Sequence, residues 1–232
     1  MNPLRVFITG AAKGIGFETA RLLGERNAAV FLGARDPHRG DAAAAKLRAA
    51  GHSVQYVPVD VTSEASLQQA AAHIQEHAGR LDVLINNAAI LLDSEGDVLG
   101  LNASTLHRTL DTNLLGVLRA TQAFLSSLRQ SPAPRIINVS SGAGQLDGEP
   151  QLWAPAYSIS KTGLNMLTQQ FAGALRGYAV NAVCPGWCRT DMGGQEAPHS
   201  AADGADTLVW LATEAPQTLT GQFLRARKPI PW

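Results

Sequence analysis

Short β-branched runs alternate along this chain with longer stretches rich in alanine and leucine. The pattern predicts strands at Arg5–Thr9, Ala29–Ala34, Val54–Asp60, Val83–Asn86, Arg135–Ser140, Val180–Cys184 and Gln222–Ala226. Between them it predicts helices at Gly14–Arg26, Asp41–Ala50, Glu64–Ala78, Ala103–Arg129, Pro155–Arg176 and Ala201–Thr213. Strands that alternate with helices of this length make a parallel sheet with right-handed crossovers. The early strands are apolar with little alternation, as expected when helices cover both faces of the sheet. The expectation is an α/β fold: one doubly wound parallel sheet of about seven strands, forming a single domain over residues 1–232. No internal repeat and no linker interrupts the rhythm.

Composition narrows the partners. Lys plus Arg equals Asp plus Glu at 19 each, so no net charge draws the chain to nucleic acid or to a membrane surface. No apolar run is long enough to span a bilayer. MNPLRVFITG enters a strand at once, which leaves no room for a cleavable signal. With only Cys184 and Cys188, a disulfide framework is not expected. The expectation is a soluble, cytoplasmic protein with reduced thiols. The CPGWC segment that carries both cysteines reads as a turn after a strand, and no metal site is expected.

The loop TGAAKGIG, Thr9–Gly16, follows the first strand and opens a helix. Gly10 suits the tight turn. Gly14 and Gly16, on either side of Ile15, let a pyrophosphate approach the helix N-terminus, where free N–H groups and the helix dipole favour an anion. The spacing is G-x-x-x-G-x-G rather than G-x-G-x-x-G. The second strand ends in FLGARD. An acid at Ala34 would repel a 2′-phosphate; there is none, and Arg35 can grip that phosphate with two parallel hydrogen bonds. Lys13 is a second candidate cation. Asp36 lies next door and could serve the ribose instead. The balance predicts NADP(H).

The strand at Arg135–Ser140 runs into NVSSG and delivers two serines to the carboxyl edge of the sheet, where open α/β folds bind ligands. Tyr157 follows Ser141 by 16 residues, and Lys161 follows by four more, on the same helix face. Reduction of a ketone needs a hydride at carbon and a proton at oxygen. A phenol with a pKa of about 10 shuttles protons poorly near neutrality. A nearby ammonium group, together with the positive nicotinamide of the oxidised complex, should lower that pKa, and a serine hydroxyl can polarise the carbonyl. The Gly- and Pro-bearing segment Arg189–Ser200 is expected to act as a lid.

These motifs together resemble the short-chain dehydrogenase/reductase family, whose fold is of the Rossmann type. The matching elements are TGAAKGIG, VDVT at Asp60, NNAAI at Asn86–Ile90, TNLLG at Asn113, NVSSG, YSISK and PGWCRTDM, in order over nearly the whole chain. GARD and the ending TGQFLRARKPIPW look most like the NADPH-preferring carbonyl-reductase branch. The resemblance implies a catalytic tetrad of Asn113, Ser141, Tyr157 and Lys161. Tyr157 would be the proton donor in reduction, and Lys161 would tune it and hold the nicotinamide ribose. Asn113 would anchor a water that relays protons. The Gly-rich loop, with Thr9, Lys13 and Ile15 among its residues, would bind the cofactor. Asp60 and Val61 would face the adenine, Asn87 would line the cofactor, and Pro185, Gly186, Cys188 and Thr190 would meet the nicotinamide.

Three departures stand out: Ala89 replaces the family's glycine, Cys188 replaces a small aliphatic residue, and the Ser141–Tyr157 interval is slightly long. The first should set the strand end slightly differently. The much longer insertion of some carbonyl reductases is missing, so Ala103–Arg129 and Pro155–Arg176 are expected to pair with a second subunit in a homodimer or homotetramer. The substrate is expected to be a small-molecule carbonyl compound or alcohol. His73, Glu76 and His77 fit an H-x-x-E-H zinc pattern but read as a polar outer helix face. Trp153 and Trp187 flank the site and serve either a hydrophobic pocket or packing; Trp210 and Trp232 read as core or interface. Two other readings stand beside carbonyl reduction. One is an alcohol dehydrogenase of the same family working mainly in oxidation. The other is a nucleotide-binding regulator without turnover, which the intact tetrad disfavours.

Overall fold

The alternating pattern builds the strands β1 (Arg5–Ile8), β2 (Ala29–Ala34), β3 (Val54–Pro58), β4 (Val83–Asn86), β5 (Arg135–Val139), β6 (Ala179–Val183), β7 (Phe223–Arg225) and β8 (Lys228–Pro229). They join in one sheet, ordered β3-β2-β1-β4-β5-β6-β7-β8. All neighbours are parallel except β7 and β8, which form an antiparallel hairpin. The eighth strand is the difference from the expected seven. These features are those of a computed structural model that describes residues 3–93, 96–148 and 152–232.

Helices α1 (Gly14–Glu25), α2 (Pro37–Ala49), α3 (Glu64–Ala78), α4 (Ala103–Leu110), α5 (Gly116–Leu128), α6 (Pro155–Ala174) and α7 (Ala201–Thr213) connect the strands. One face of the sheet packs Val6, Ile8, Leu32 and Ile85 under Leu23, Leu47 and Leu208. The other packs Phe7, Leu84 and Ile136 under Leu67, Ile74 and Phe124. Apolar residues point both ways from each central strand, which is why those strands show so little alternation.

Two helices depart from expectation by more than a residue or two at one end, for identifiable reasons. α2 starts at Pro37 rather than Asp41, because Asp36 caps it by accepting from the Arg39 N–H at 3.1 Å and proline occupies the first turn. The single helix expected over Ala103–Arg129 is interrupted by a π-helical turn, Asp111–Leu115, between α4 and α5. Asn113 lies on that turn. Sequence order reverses between β1 and β4, so the connections that follow them leave toward opposite faces of the sheet and a crevice opens at their carboxyl ends.

Candidate active site

A cleft of about 1810 Å³ runs along the carboxyl edge of the sheet. At one end stands the glycine-rich turn. Gly10 and Gly14 have φ of +65° and +57°, conformations that glycine adopts freely. A Cβ on Gly10 would sit 2.8 Å from Ala88 Cα, and one on Gly16 would sit 2.5 Å from the Asn87 amide nitrogen. Asn87 stitches this turn to β4: its side chain donates to Thr9 O at 2.9 Å and Gly10 O at 3.0 Å. The Thr9 hydroxyl accepts from Asn87 N and Ala88 N. Thr9 and Gly16 therefore stand behind the cleft and shape it, whereas Gly10, Lys13, Gly14, Ile15 and Asn87 line it.

Lys13, at the N-cap of α1, makes no side-chain capping bond. The N–H groups of that helix's first turn are left for an anion. Arg35 lines the cleft wall, and so does Arg39, which enters the site because α2 begins at Pro37 rather than at the expected Asp41. Asp36 also lines the cleft, with one carboxylate oxygen engaged as the cap of α2. Lys13 is engaged too. It pairs with Asp191 at 2.5 Å, and both side chains are exposed. This ion pair joins the glycine turn to the 189–200 segment, whose residues line the cleft from Arg189 to Gly193. The segment is tied at its base by Arg189 N to His199 O and His199 N to Trp187 O. The residues present fit NADP(H): a cradle free of Cβ atoms, an uncapped helix start, and two guanidinium groups with no acid at Ala34.

At the other end, β5 and the short turn Gly142–Gly144 deliver the serines. Their fates diverge. Ser140 is buried and donates to Asn165 Oδ1 at 2.6 Å, a structural bond into α6. Ser141 lines the cleft and hydrogen-bonds the Tyr157 phenol. Gly144 is needed where this turn meets α6, since a Cβ there would lie 2.6 Å from the Lys161 carbonyl carbon. Buried amide bonds, Asn86 to Asn138 and Asn138 to Thr168, each 2.9 Å, fix α6 against β4 and β5.

Asn113 is fully buried. Its side chain donates to Ile90 O at 2.9 Å and to Ser160 Oγ at 3.0 Å, and accepts from Ile90 N at 2.8 Å. It clamps the irregular segment after β4 to α6 and does not line the cleft. The widened π turn lets this side chain reach inward.

Lys161 is 2% exposed; its ammonium donates to Val139 O at 2.7 Å and lies 5.4 Å from the centre of the Tyr157 ring. Burial pushes its pKa from 10.5 down to about 8. Burial also dominates Tyr157, raising its phenol from 10.0 to about 12, while the Ser141 hydrogen bond pulls the other way. The ammonium is turned to a backbone carbonyl, and desolvation outweighs the Ser141 hydrogen bond at the phenol; the lowering expected with the positive nicotinamide alongside belongs to the proposed cofactor complex. Trp153 stacks on the Tyr157 ring at 6.3 Å and 23°, so it walls the site. Trp187 also lines the cleft, and its indole N–H holds Gly193 O at 2.7 Å. Trp210 packs against the core, and Trp232 stacks on Phe223 at 5.5 Å.

Asp60, Val61, Pro185, Gly186, Cys188 and Thr190 all line the cleft. Ala89 lines it as well, without positive φ, so the missing glycine leaves no strained backbone. The cysteines face different partners. Cys184 accepts from Gly142 N and Arg225, and Cys188 donates to Pro185 O. His73 meets Gln55 and stacks with His77 on α3, away from the cleft. The loop between Gln145 and Ala156 lies partly outside the described residues.

The sheet order, the glycine turn and the Ser–Tyr–Lys arrangement define a dinucleotide-dependent oxidoreductase fold. The short chain dehydrogenase family model matches residues 5–201, and the chain belongs to that family. It is 32% identical to the carbonyl reductase (NADPH) 1 of Sus scrofa, covering all of this chain and 95% of that protein. It is 34% identical to the short-chain dehydrogenase anuI of Penicillium roqueforti, over 94% and 92%. Among solved structures, the NADPH-bound carbonyl reductase from chicken fatty liver superposes with a TM-score of 0.89 at 29% identity, covering both chains completely.

Proposed function

We propose that this chain is an NADP(H)-dependent carbonyl reductase in which Ser141, Tyr157 and Lys161 act on a ketone or aldehyde. The observation that carries the reading is one arrangement. The Tyr157 phenol, hydrogen-bonded by Ser141 and backed by the Lys161 ammonium, shares a cleft with a glycine cradle and two arginines. The relatives named for NADPH-dependent carbonyl reduction support it.

NADPH, when bound, supplies the hydride. The Ser141 hydroxyl polarises and orients the substrate oxygen. Tyr157 gives its proton to that oxygen, and a phenol pushed to about 12 stays protonated throughout the neutral range. Lys161 holds positive charge under the ring and stabilises the phenolate left behind. Asn113 fixes the strand end and α6, so the proton-carrying groups keep their positions. Arg35 and Arg39 bind the 2′-phosphate that separates NADPH from NADH. Trp153 and Trp187 give the substrate end an apolar wall.

The reading extends to a single dinucleotide-binding domain that works in the cytoplasm as a homodimer or homotetramer. Ile159 and Met166 on α6 and Leu115 on the π turn are exposed apolar residues, which supports pairing through these helices. No described helix is long and apolar enough to cross a membrane.

NADPH consumption against a panel of ketones and aldehydes, wild type beside Tyr157→Phe, tests the activity. Turnover that disappears in the variant is the expected result. Tight NADPH binding without turnover on any carbonyl would instead favour a regulator that kept the fold.

A further inference from the structure

Arg225 ends β7 at the carboxyl edge of the sheet and lines the same cleft as Ser141, Tyr157 and Lys161. The β7–β8 hairpin pins its backbone. Ala226 and Arg227 take φ of +48° and +61°, and Arg225 pairs across the hairpin with Lys228. Two successive positive φ angles match the two-residue turn that best follows strand twist.

The guanidinium reaches two partners. Nε donates to Cys184 Sγ and Nη2 to Gln145 Oε1, each at 3.3 Å. Neither partner is a carboxylate: one is a thiol sulfur, and the contact to the Gln145 oxygen is long beside a charge-assisted bond. Arg227, two positions on, is by contrast clamped by both oxygens of Asp206. No carboxylate of the described residues lies within ion-pair distance of Arg225, and its cross-strand neighbour is another cation.

The acids along the cleft are engaged elsewhere. Asp36 caps α2, Asp60 accepts from Thr62, and Asp111 binds Arg119. Glu18 binds Arg21, and Asp191 binds Lys13. Arg189, the neighbouring arginine, is held by the carbonyls of Ala197 and Pro198.

The site makes room for this one guanidinium. A Cβ on Gly142, the residue after Ser141, would sit 2.6 Å from Arg225 Nη2. The Gly142 N–H donates to the same sulfur as Arg225, at 3.2 Å. The positive fork thus lies one sulfur atom from the main chain of the proton-handling serine. Arg225 and the Ser141 and Tyr157 side chains line one cleft.

We propose that Arg225 recognises a carboxylate on the substrate, so that oxo acids, meaning ketones or aldehydes bearing a carboxylate, are preferred over neutral carbonyl compounds. The inference rests on the carbonyl-reductase reading of the site. A carboxylate matches the planar fork with two parallel hydrogen bonds, which a neutral ester cannot supply. Charge-assisted hydrogen bonds of this kind separate matched ligands by roughly tenfold to a hundredfold.

The test compares aliphatic and aryl oxo acids with their methyl esters, in wild type, Arg225→Met and Arg225→Lys. Two quantities are read: kcat/KM with NADPH, and calorimetric binding to the NADP⁺-loaded protein. The expected result is an acid-over-ester preference of about tenfold or more that collapses toward unity in Arg225→Met and is partly kept in Arg225→Lys. Equal treatment of acid and ester by the wild type overturns the inference without need of a variant. So does a preference that survives Arg225→Met. Selective, Arg225-dependent binding of the acids with no turnover on acid or ester would sustain the recognition role and remove the reductase reading.

Discussion

Asp93, on the segment after β4, accepts a hydrogen bond at 2.6 Å from the backbone N–H of Ala156. Ala156 immediately precedes Tyr157 in the first turn of α6, which Ala154 enters with φ of +48° and Pro155 begins. Ala154 at the N-cap offers no side-chain bond of its own. The carboxylate therefore caps the helix from outside and adds favourable charge at its positive end. Asp93→Ala should destabilise the fold by about 0.5–2 kcal/mol, the usual cost of a lost cap. It should also lower kcat, because Tyr157 loses its anchor. Asp93→Asn should restore most of the melting temperature, and thermal unfolding beside steady-state rates reads both effects.

Removing the phenolic hydroxyl should leave the cleft intact and the reaction without its proton donor. Tyr157→Phe is expected to lower kcat by at least the roughly 10²–10⁴-fold that a positioned acid contributes. NADPH affinity, measured by fluorescence titration, should change little. A variant that still turned over at a tenth of the wild-type rate would assign the proton to another group.

The two cleft arginines should divide the cofactors. Arg35→Ala and Arg39→Ala should each raise the Kd for NADPH by roughly tenfold to a hundredfold, the value of a charge-assisted bond, while leaving NADH nearly unaffected. Arg39 is drawn toward Asp36 at 3.7 Å in the present structure, so its effect should be the smaller. Equal losses for both cofactors would move the 2′-phosphate site elsewhere.

Lys161 should leave a signature in stability. Its folded-state pKa of about 8 lies below the ordinary 10.5. Between those values the unfolded chain holds a proton that the folded chain has released, so stability of the cofactor-free protein rises with pH there and falls as pH drops toward 8. Tyr157, raised to about 12, acts with the opposite sign above pH 10. Urea midpoints measured between pH 7.5 and 10 should therefore climb in the wild type, and Lys161→Met should flatten the climb. An unchanged slope in the variant would mean that the buried amine is not the source.

Much of this protein was determined by local sequence. Strand and helix order followed from β-branched runs alternating with Ala/Leu stretches, because those signals act within a few residues. The glycine turn and the Tyr157–Lys161 spacing were legible for the same reason: positive φ at Gly10 and a shared helix face need only near neighbours. What tertiary structure alone decided depends on contacts between distant segments. Both serines line the cleft, but Asn165 holds the Ser140 hydroxyl, a contact made between distant segments. On the π turn, the Asn113 amide meets Ile90 and Ser160 together, contacts between distant segments that no periodicity encodes. Lys13, which lines the cleft, also pairs with Asp191, 178 residues away. The protonation balance of Tyr157 and Lys161 follows burial, which appears only when the sheet and α6 close around them.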